Sequence, residues 1–297
     1  MPLTVTSLHR YPVKSMRGEA LADAVVEPWG LAGDRRWMVV LGEGPDTGRF
    51  VSARSDPRLV LVEPRLTAAG LHLAAPGVED APAPLDVPLP DAATLLDVEI
   101  WGSELPAAVA STAADAWLSD YLGHAVRLVH LDDPTRRPTS PAFSRADDRV
   151  GFADGYPLLL TTERSLAALN EAVAENDGDP VAMNRFRPNL VVDGDVAWAE
   201  DDWRRVRVGD ATFRMVKGCA RCVLTTVDPD TGAKGREPMW TLARTRRFDK
   251  GVWFGVNLVP DGPADAGVTL RVGDELEVLE AVAPGGGPLR AAPAVPA

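Results

Sequence analysis

The stretch Lys217-Gly-Cys-Ala-Arg-Cys-Val-Leu-Thr-Thr-Val-Asp-Pro-Asp-Thr-Gly232 holds both cysteines of the 297-residue chain. It follows an alternating run, 211–216, of the kind that forms a strand. It ends in Asp-Pro-Asp-Thr-Gly, whose residues favour a turn. The pattern therefore predicts two thiols in a loop at the end of a strand.

A Cys-x-x-Cys pair can be a disulfide redox couple, half of a zinc site, or two thiols with separate roles. Zinc requires four ligands, and the sequence offers no second Cys-x-x-Cys and no closely spaced His pair. A thioredoxin-like couple has its first Cys at a helix N-terminus, whereas the β-branched run Val223 to Val227 follows here. The remaining interpretation is one thiolate, acting as a soft metal ligand or a sulfur carrier beside the cations Lys217 and Arg221.

The segment 219–232 resembles the signature of the MOSC family, molybdenum-cofactor-binding domains that include the mitochondrial amidoxime-reducing component. In that family the second cysteine of the motif ligates molybdenum, so the resemblance assigns this role to Cys222. It also places Ala220 and Arg221 among the cofactor contacts. Cys219 is then a supporting thiol or a structural one. Asp228 has two interpretations, a proton shuttle near the metal or the turn-forming residue before Pro229.

Other cofactor contacts lie outside the cysteine motif. Tyr-Pro-Val-Lys-Ser at 11–15 and Arg-Pro-Asn at 187–189 look like family segments, and Arg35 in Gly30-Leu-Ala-Gly-Asp-Arg-Arg-Trp37 occupies the phosphate-contacting position. Without the resemblance, Lys14 and Ser15 would be interpreted as solvated loop residues. Thr162 is predicted separately, because it stands between a strand and a helix, where a hydroxyl can cap the helix and face a phosphate. The resemblance and this junction together imply eight cofactor contacts: Lys14, Ser15, Arg35, Thr162, Arg187, Asn189, Ala220 and Arg221.

Composition limits the class of protein. A hydrophobic fraction of 45% and a charged fraction of 25% are those of a globular protein, and no apolar run is long enough to span a membrane. The net charge of −12 argues against a nucleic-acid-binding face. There is no signal peptide pattern at the N-terminus, and the scarcity of cysteine fits a reducing compartment. We therefore expect a cytoplasmic protein that binds neither membrane nor nucleic acid.

The expected fold is mixed, a β-rich α+β class in which a MOSC β-barrel domain joins an N-terminal β-barrel-like domain with a few short helices. The expected division is 1–130 for the N-terminal domain, 131–280 for the MOSC domain and 281–297 for a disordered Pro-, Gly- and Ala-rich tail. We also expect 183–189 to be extended, with Arg185 and Arg187 pointing the same way, and 199–203 to be an acidic surface turn.

The resemblance implies the molybdenum cofactor and two-electron reduction of N-hydroxylated compounds such as amidoximes or hydroxamic acids. Molybdenum would take the substrate oxygen on passing from the four-valent to the six-valent state, and external electrons would reset it with loss of water. Some bacterial relatives carry a fused ferredoxin-like domain that this sequence lacks, so we expect a separate electron-donor protein of ferredoxin or cytochrome type. The family is also associated with pyridoxal phosphate binding, which the resemblance brings as a further expectation.

Two rival functions remain open. Cys222 could carry sulfur as a persulfide, since the family takes its name from the C-terminal domain of molybdenum-cofactor sulfurase. Alternatively, the chain could bind or carry the cofactor without turnover. Stoichiometric molybdenum distinguishes the reductase from a sulfur carrier, which would hold cyanide-releasable sulfur and no metal. Reduction of hydroxylamines with a reducing dye distinguishes the reductase from the non-catalytic carrier.

Overall fold

The computed structural model describes residues 2–261 and 267–288. Within these ranges β-strands dominate, which confirms the β-rich α+β class. The strands are β1 Leu3–Arg10, β2 Glu19–Leu21, β3 Asp23–Glu27, β4 Gly30–Leu31, β5 Trp37–Leu41, β6 Glu63–Thr67, β7 Gly70–Ala74, β8 Leu85–Pro88, β9 Leu95–Ile100, β10 Ser103–Val109, β11 Val126–His130, β12 Leu158–Thr162, β13 Leu190–Val192, β14 Trp203–Val208, β15 Ala211–Ala220, β16 Arg247–Phe248, β17 Gly251–Pro260, β18 Thr269–Arg271 and β19 Glu275–Ala281. The α-helices are α1 Thr112–Leu122, α2 Glu163–Ala174 and α3 Met239–Thr245.

Seven strands close into a barrel in the order β12, β13, β1, β19, β14, β15 and β17, with β17 pairing back to β12. Every pair is antiparallel except β12 with β13. Alternate residues of β14 and β15 point inward, and Val206 and Phe213 are fully buried there. Side chains from all seven strands fill the interior, so this barrel is a packed core with its loops at the ends.

The N-terminal part of the chain forms two smaller antiparallel sheets, β5-β11-β10-β9 and β6-β7-β8. A core of Trp37, Val39, Leu71 and Leu128 lies between these sheets and α1. β1, however, pairs with β13 and β19, so the first strand of the chain belongs to the C-terminal barrel. A division of the chain at residue 130 therefore does not coincide with the division of the sheets.

Both longer helices begin at side-chain caps. Ser111 accepts from the N–H of Ala114 at the start of α1, and Thr162 accepts from the N–H of Ser165 at the start of α2. The sequence indicated the second cap. Because α2 follows β12 directly, its cap fixes the chain at the edge of the barrel.

Two backbone predictions, for residues 183–189 and 223–227, differ from the structure. Residues Met183–Phe186 form a 3₁₀ turn, and Arg187 is left-handed with φ 56° in spite of Pro188, so Arg185 and Arg187 diverge. Residues Val223–Thr226 also form a 3₁₀ turn, because Thr225 and Thr226 bond back to the backbone of the preceding turn instead of pairing in a sheet.

The acidic segment 199–203 is not a surface turn. Glu200 and Asp201 are 0% and 6% exposed, since hydroxyls and the guanidinium of Arg246 compensate their burial. Residues 282–288 also differ from the expected disorder, because the N–H groups of Gly285 and Gly287 each donate to Asp202 at 2.8 Å. The rest of the expected tail, 289–297, lies outside the described residues.

None of the described helices combines the length and the apolar character that crossing a bilayer requires.

Candidate functional site

A cavity of about 280 Å³ opens at one end of the barrel. It lies between residues 219–226, which carry both thiols and are called the cysteine loop below, and loops from both halves of the chain. Of the predicted site residues, eight line it: Lys14, Ser15, Arg35, Arg187, Asn189, Ala220, Arg221 and Cys222. Residues separated by up to 208 positions therefore meet at a single site. Thr162 and Asp228 are not among its lining residues.

Ser15, Arg35 and Arg187 share an unusual backbone conformation. Their φ angles are 69°, 47° and 56°, in the left-handed region that side chains other than glycine seldom adopt. Such residues cost free energy and cluster where a protein fixes a functional group. Three of the nine such residues in the described part of the chain line this one cavity, which makes it a candidate functional site.

The ring of Tyr11 lies between two guanidinium groups. The Cζ atoms of Arg35 and Arg187 are 4.4 and 4.3 Å from its centroid, and the Tyr11 hydroxyl donates to the Pro188 carbonyl at 3.1 Å. Burial raises the pKa of Tyr11 to about 12. It lowers the pKa of Arg187 to about 10. Both guanidinium groups nevertheless stay charged at neutral pH, so the ring holds two cations side by side.

Lys14 is the other buried cation. Its Nζ donates to the Phe152 carbonyl at 3.0 Å and forms an ion pair with Asp154. Burial lowers the pKa of Lys14 to about 8, and the attraction of Asp154 opposes this shift. Burial would raise the pKa of Asp154, but Lys14, Arg54 and the Trp101 indole hold it below its ordinary value. The pair is therefore Lys⁺ and Asp⁻ at pH 7.

Asn189 is fully buried, and its amide is used inside the protein. Its Oδ1 accepts from the N–H of Leu159 and from Arg35, both at 3.1 Å, while Nδ2 donates to the His9 carbonyl at 3.1 Å. Asn189 therefore holds the Arg35 side chain in place beside the cavity. One N–H of its amide remains for a ligand.

The cysteine loop completes the cavity. Arg221 reaches back so that its Nη1 donates to Cys219 Sγ at 2.8 Å and its Nη2 to the Phe186 carbonyl at 2.7 Å. Cys222 is partly exposed and stands at the start of the 3₁₀ turn, where its carbonyl accepts from Thr225. Both thiols are reduced, so the pair is not a disulfide in this state.

Two predicted site residues have structural roles instead. Thr162 is 2% exposed, and its hydroxyl is shared between Ser165 and Glu200. Asp228 accepts from the N–H groups of Asp230 and Thr231 at 2.9 Å, and it pairs with Arg185. These contacts fit the second of its two interpretations, the turn-forming residue, and the proton-shuttle role stays a prediction.

Several lining residues were missed from the sequence: Ala153, Asp154, Gly155, Tyr156, Lys217 and Asn257. Lys217 was noted only as a neighbouring charge, and none of the others belongs to a motif that pointed to a ligand. The run Gly151 to Tyr156 becomes visible only once Phe152 N–H bonds to the Arg35 carbonyl at 2.7 Å and brings that loop to the site.

The lining is built for an anion. Five cations, Lys14, Arg35, Arg187, Lys217 and Arg221, face it against a single carboxylate, Asp154. Buried nitrogens on two of these residues, Arg187 Nη2 and Arg221 Nε, have no hydrogen-bond partner in the described part of the chain. A buried donor without a partner is costly, and a phosphate oxygen would satisfy it.

Cys222 could hold a metal only as one ligand among others that the protein does not supply. Among residues 2–261 and 267–288, no three His, Cys, Asp or Glu side chains gather as a metal site. Cys222 could therefore be one soft ligand to a metal that brings its other ligands with it. A dithiolene cofactor with a terminal phosphate meets both conditions, since it carries sulfur ligands for the metal and an anion for the arginines.

Fold and site together define a class: a closed β-barrel protein with a cation-lined cavity that holds free thiols. The MOSC N-terminal beta barrel domain matches residues 2–125, and the MOSC domain matches residues 147–277. The mitochondrial amidoxime-reducing component 1 of Homo sapiens is 34% identical over 294 residues, covering 93% of this chain and 83% of that protein. That of Mus musculus is 35% identical, covering 93% and 82%.

The chain therefore belongs to the MOSC family, as its cysteine motif predicted. Among solved structures, the YUAD protein from Bacillus subtilis aligns with 93% of this chain and 94% of its own at 10% identity. Its TM-score of 0.42 is too low to support an argument.

Proposed function

We propose that this protein is a molybdenum-cofactor-dependent reductase of N-hydroxylated compounds, as its relatives' names, amidoxime-reducing components, suggest. The observation that carries the proposal is the cavity itself, in which a partly exposed thiol at Cys222 lies beside five cations, two of them with an unpartnered buried nitrogen. A sulfur ligand and an anion cradle in one cavity are what a molybdenum pterin requires.

The roles of the residues follow from their contacts. Arg187 and Arg221 would bind the phosphate through their unpartnered nitrogens, and Lys14 and Arg35 would add charge. Ser15 and Ala220 line the same wall. Cys222 would ligate the metal. When bound, the cofactor supplies a metal that can accept an oxygen atom and cycle between oxidation states.

The chain's own contribution to chemistry is to orient and to hold charge. Asn189 fixes Arg35, and Tyr11 keeps Arg35 and Arg187 apart at a set distance. Lys217 lines the cavity, where its ammonium would hydrogen-bond a polar group of a substrate, and this ammonium lies 4.9 Å from the centroid of the Phe143 ring. We place the enzyme in the cytoplasm, with a separate protein as electron donor; the association with pyridoxal phosphate stays a prediction of the resemblance alone.

The test is reduction of a panel of amidoximes and hydroxamic acids by molybdenum-replete protein, driven by reduced benzyl viologen. Turnover with one molybdenum per chain supports the proposal. Cyanide-releasable sulfur without molybdenum would support the sulfur carrier instead. Bound cofactor without turnover on any member of the panel would leave a binding or carrier protein.

A further inference from the structure

The segment from Lys234 to Lys250 has a charge opposite to that of the chain. It contains six Lys or Arg residues and two acids, whereas the whole chain has a net charge of −12. Four residues of this segment, three of them basic, are exposed on α3 or just before it: Lys234, Arg236, Trp240 and Arg244. We refer to these four residues as the α3 face.

Trp240 stands between two arginines at the centre of this face. Its side chain is 42% exposed, and the Cζ atoms of Arg236 and Arg244 are 5.5 and 3.4 Å from the ring centroid. Arg244 Nη1 also donates to the Trp240 carbonyl at 2.9 Å. Stacking on the indole orders two long side chains before any partner arrives, which reduces the entropy lost on binding.

These cations are little neutralised. Within the described residues, no carboxylate lies within ion-pair distance of Lys234 or Arg244, and Arg236 has only Glu237, at 3.9 Å. Lys234 instead donates to the Arg54 carbonyl at 3.1 Å. An exposed tryptophan flanked by arginines has the composition of a protein-binding hot spot.

The α3 face borders the cysteine loop. The N–H of Gly235 donates to the Thr226 carbonyl at 2.9 Å, and Thr226 ends the 3₁₀ turn that starts directly after Cys222. Val223, the first residue of that turn, is 59% exposed. A protein bound on the α3 face would therefore also cover the outer side of the loop that carries the thiol.

We propose that the α3 face is the docking site of an acidic electron-transfer protein. This inference rests on the proposed function, because a reductase of this kind needs an external donor. Charge favours an acidic partner, because an acidic carrier is attracted by the α3 face and repelled by the net charge of −12 on the whole molecule, and this favours an orientation beside the cysteine loop.

The experiment uses the whole protein and two probes, an acidic [2Fe–2S] ferredoxin and an acidic b-type cytochrome. Binding is measured at low and high salt for the wild type, for Arg236→Glu with Arg244→Glu, and for Trp240→Ala. The matched control reverses two exposed arginines elsewhere, Arg65→Glu with Arg271→Glu, and so makes the same change in net charge. Viologen-driven turnover is measured on every variant.

We expect at least one probe to bind. The α3 double variant should weaken that binding about tenfold or more, while the control changes it less than about threefold. Trp240→Ala should weaken it without changing the salt dependence. Equal losses in the two double variants, or no binding of either probe, would overturn the docking site. So would a dimer that the α3 variant converts to monomer, because the face would then join two copies. If the wild type shows no viologen-driven turnover, the proposed function is refuted. The binding measurements still decide whether the α3 face is a docking site.

Discussion

Arg221 donates from Nη1 to the sulfur of Cys219 at 2.8 Å, so the guanidinium between the two cysteines is bonded to the first of them, although both cysteines line the cavity. The two thiols are therefore not equivalent, although they stand three residues apart in a common motif. Cys219 accepts from Arg221, whose Nε remains without a partner, whereas no described residue hydrogen-bonds to the Cys222 sulfur.

Serine substitution should separate the two roles. We expect Cys222→Ser to reduce viologen-driven turnover by about 100-fold or more, because a hydroxyl is a poor substitute for a soft thiolate ligand. Cys219→Ser should retain activity within about tenfold, since its hydroxyl can still accept from Arg221. Steady-state rates and molybdenum content measure both effects, and equal losses in the two variants would contradict the assignment.

Lys14 should make cofactor retention sensitive to pH. Its pKa of about 8 means that the ammonium is charged at pH 7 and loses its proton as the pH rises through 8. Affinity for a phosphate-bearing cofactor should then fall by about tenfold for each pH unit above 8, up to the higher pKa that Lys14 has in the complex. Molybdenum retained after desalting at pH 7 and at pH 9.5 measures this.

Lys14→Arg is the control for that titration. A guanidinium stays charged over the whole range, so this variant should retain the cofactor equally at both pH values. Circular dichroism establishes that it is folded. If the wild type retains as much molybdenum at pH 9.5 as at pH 7, Lys14 does not hold the phosphate.

Asp228 should prove to be structural. Asp228→Asn keeps an oxygen that accepts from the N–H groups of residues 230 and 231, but it loses the charge that pairs with Arg185. We expect turnover within about threefold of the wild type and a decrease of about 1 kcal/mol in the free energy of unfolding. A large fall in turnover with an unchanged dependence on donor concentration would restore the proton-shuttle role.

Glu200 should make stability fall as the pH rises. Burial raises its pKa to about 7, from the 4.5 of an unfolded chain, so the folded protein binds more protons than the unfolded one between these values. The free energy of unfolding should therefore decrease from pH 4.5 to 7. Glu200→Gln, which carries no charge, should gain on the order of 2 kcal/mol over the wild type at pH 8 relative to pH 5.

Urea unfolding at pH 5 and pH 8 measures this difference. Glu171→Gln, on the exposed side of α2, is the control and should show no such dependence on pH. A Glu200→Gln variant whose relative stability is the same at both pH values would mean that Glu200 keeps its charge in the fold.

The sequence predicted which residues meet at the cavity better than it predicted the local backbone conformation. The convergence of eight predicted residues was expected because each is at a turn or a strand end, and such loops meet at the end of a barrel. The left-handed conformation of Arg187 was not expected, since a residue before proline favours extended backbone. Here the contact of its guanidinium with the Tyr11 ring accompanies that conformation.

The sequence analysis also failed to predict which charged residues are buried or paired. A run of acids such as 199–203 is usually solvated, and only the folded chain brings Ser165 and Arg246 to Glu200 and Asp201. Asp154 was missed for a related reason. Its partner Lys14 is 140 residues away in the sequence, and no local sequence pattern predicts such a pair.

The barrel joins the two ends of the chain, since Leu3 of β1 pairs with Leu276 of β19 and Val5 with Val192 of β13. During synthesis β1 can pair at once with β2, but it meets β13 only after residue 192 has been made and β19 only after residue 276. Contacts between such distant positions form late and slow the overall rate of folding. A nascent chain arrested before residue 275 would leave the edge of β1 that pairs with β19 without its partner, which makes this edge a natural place for a chaperone to bind during synthesis.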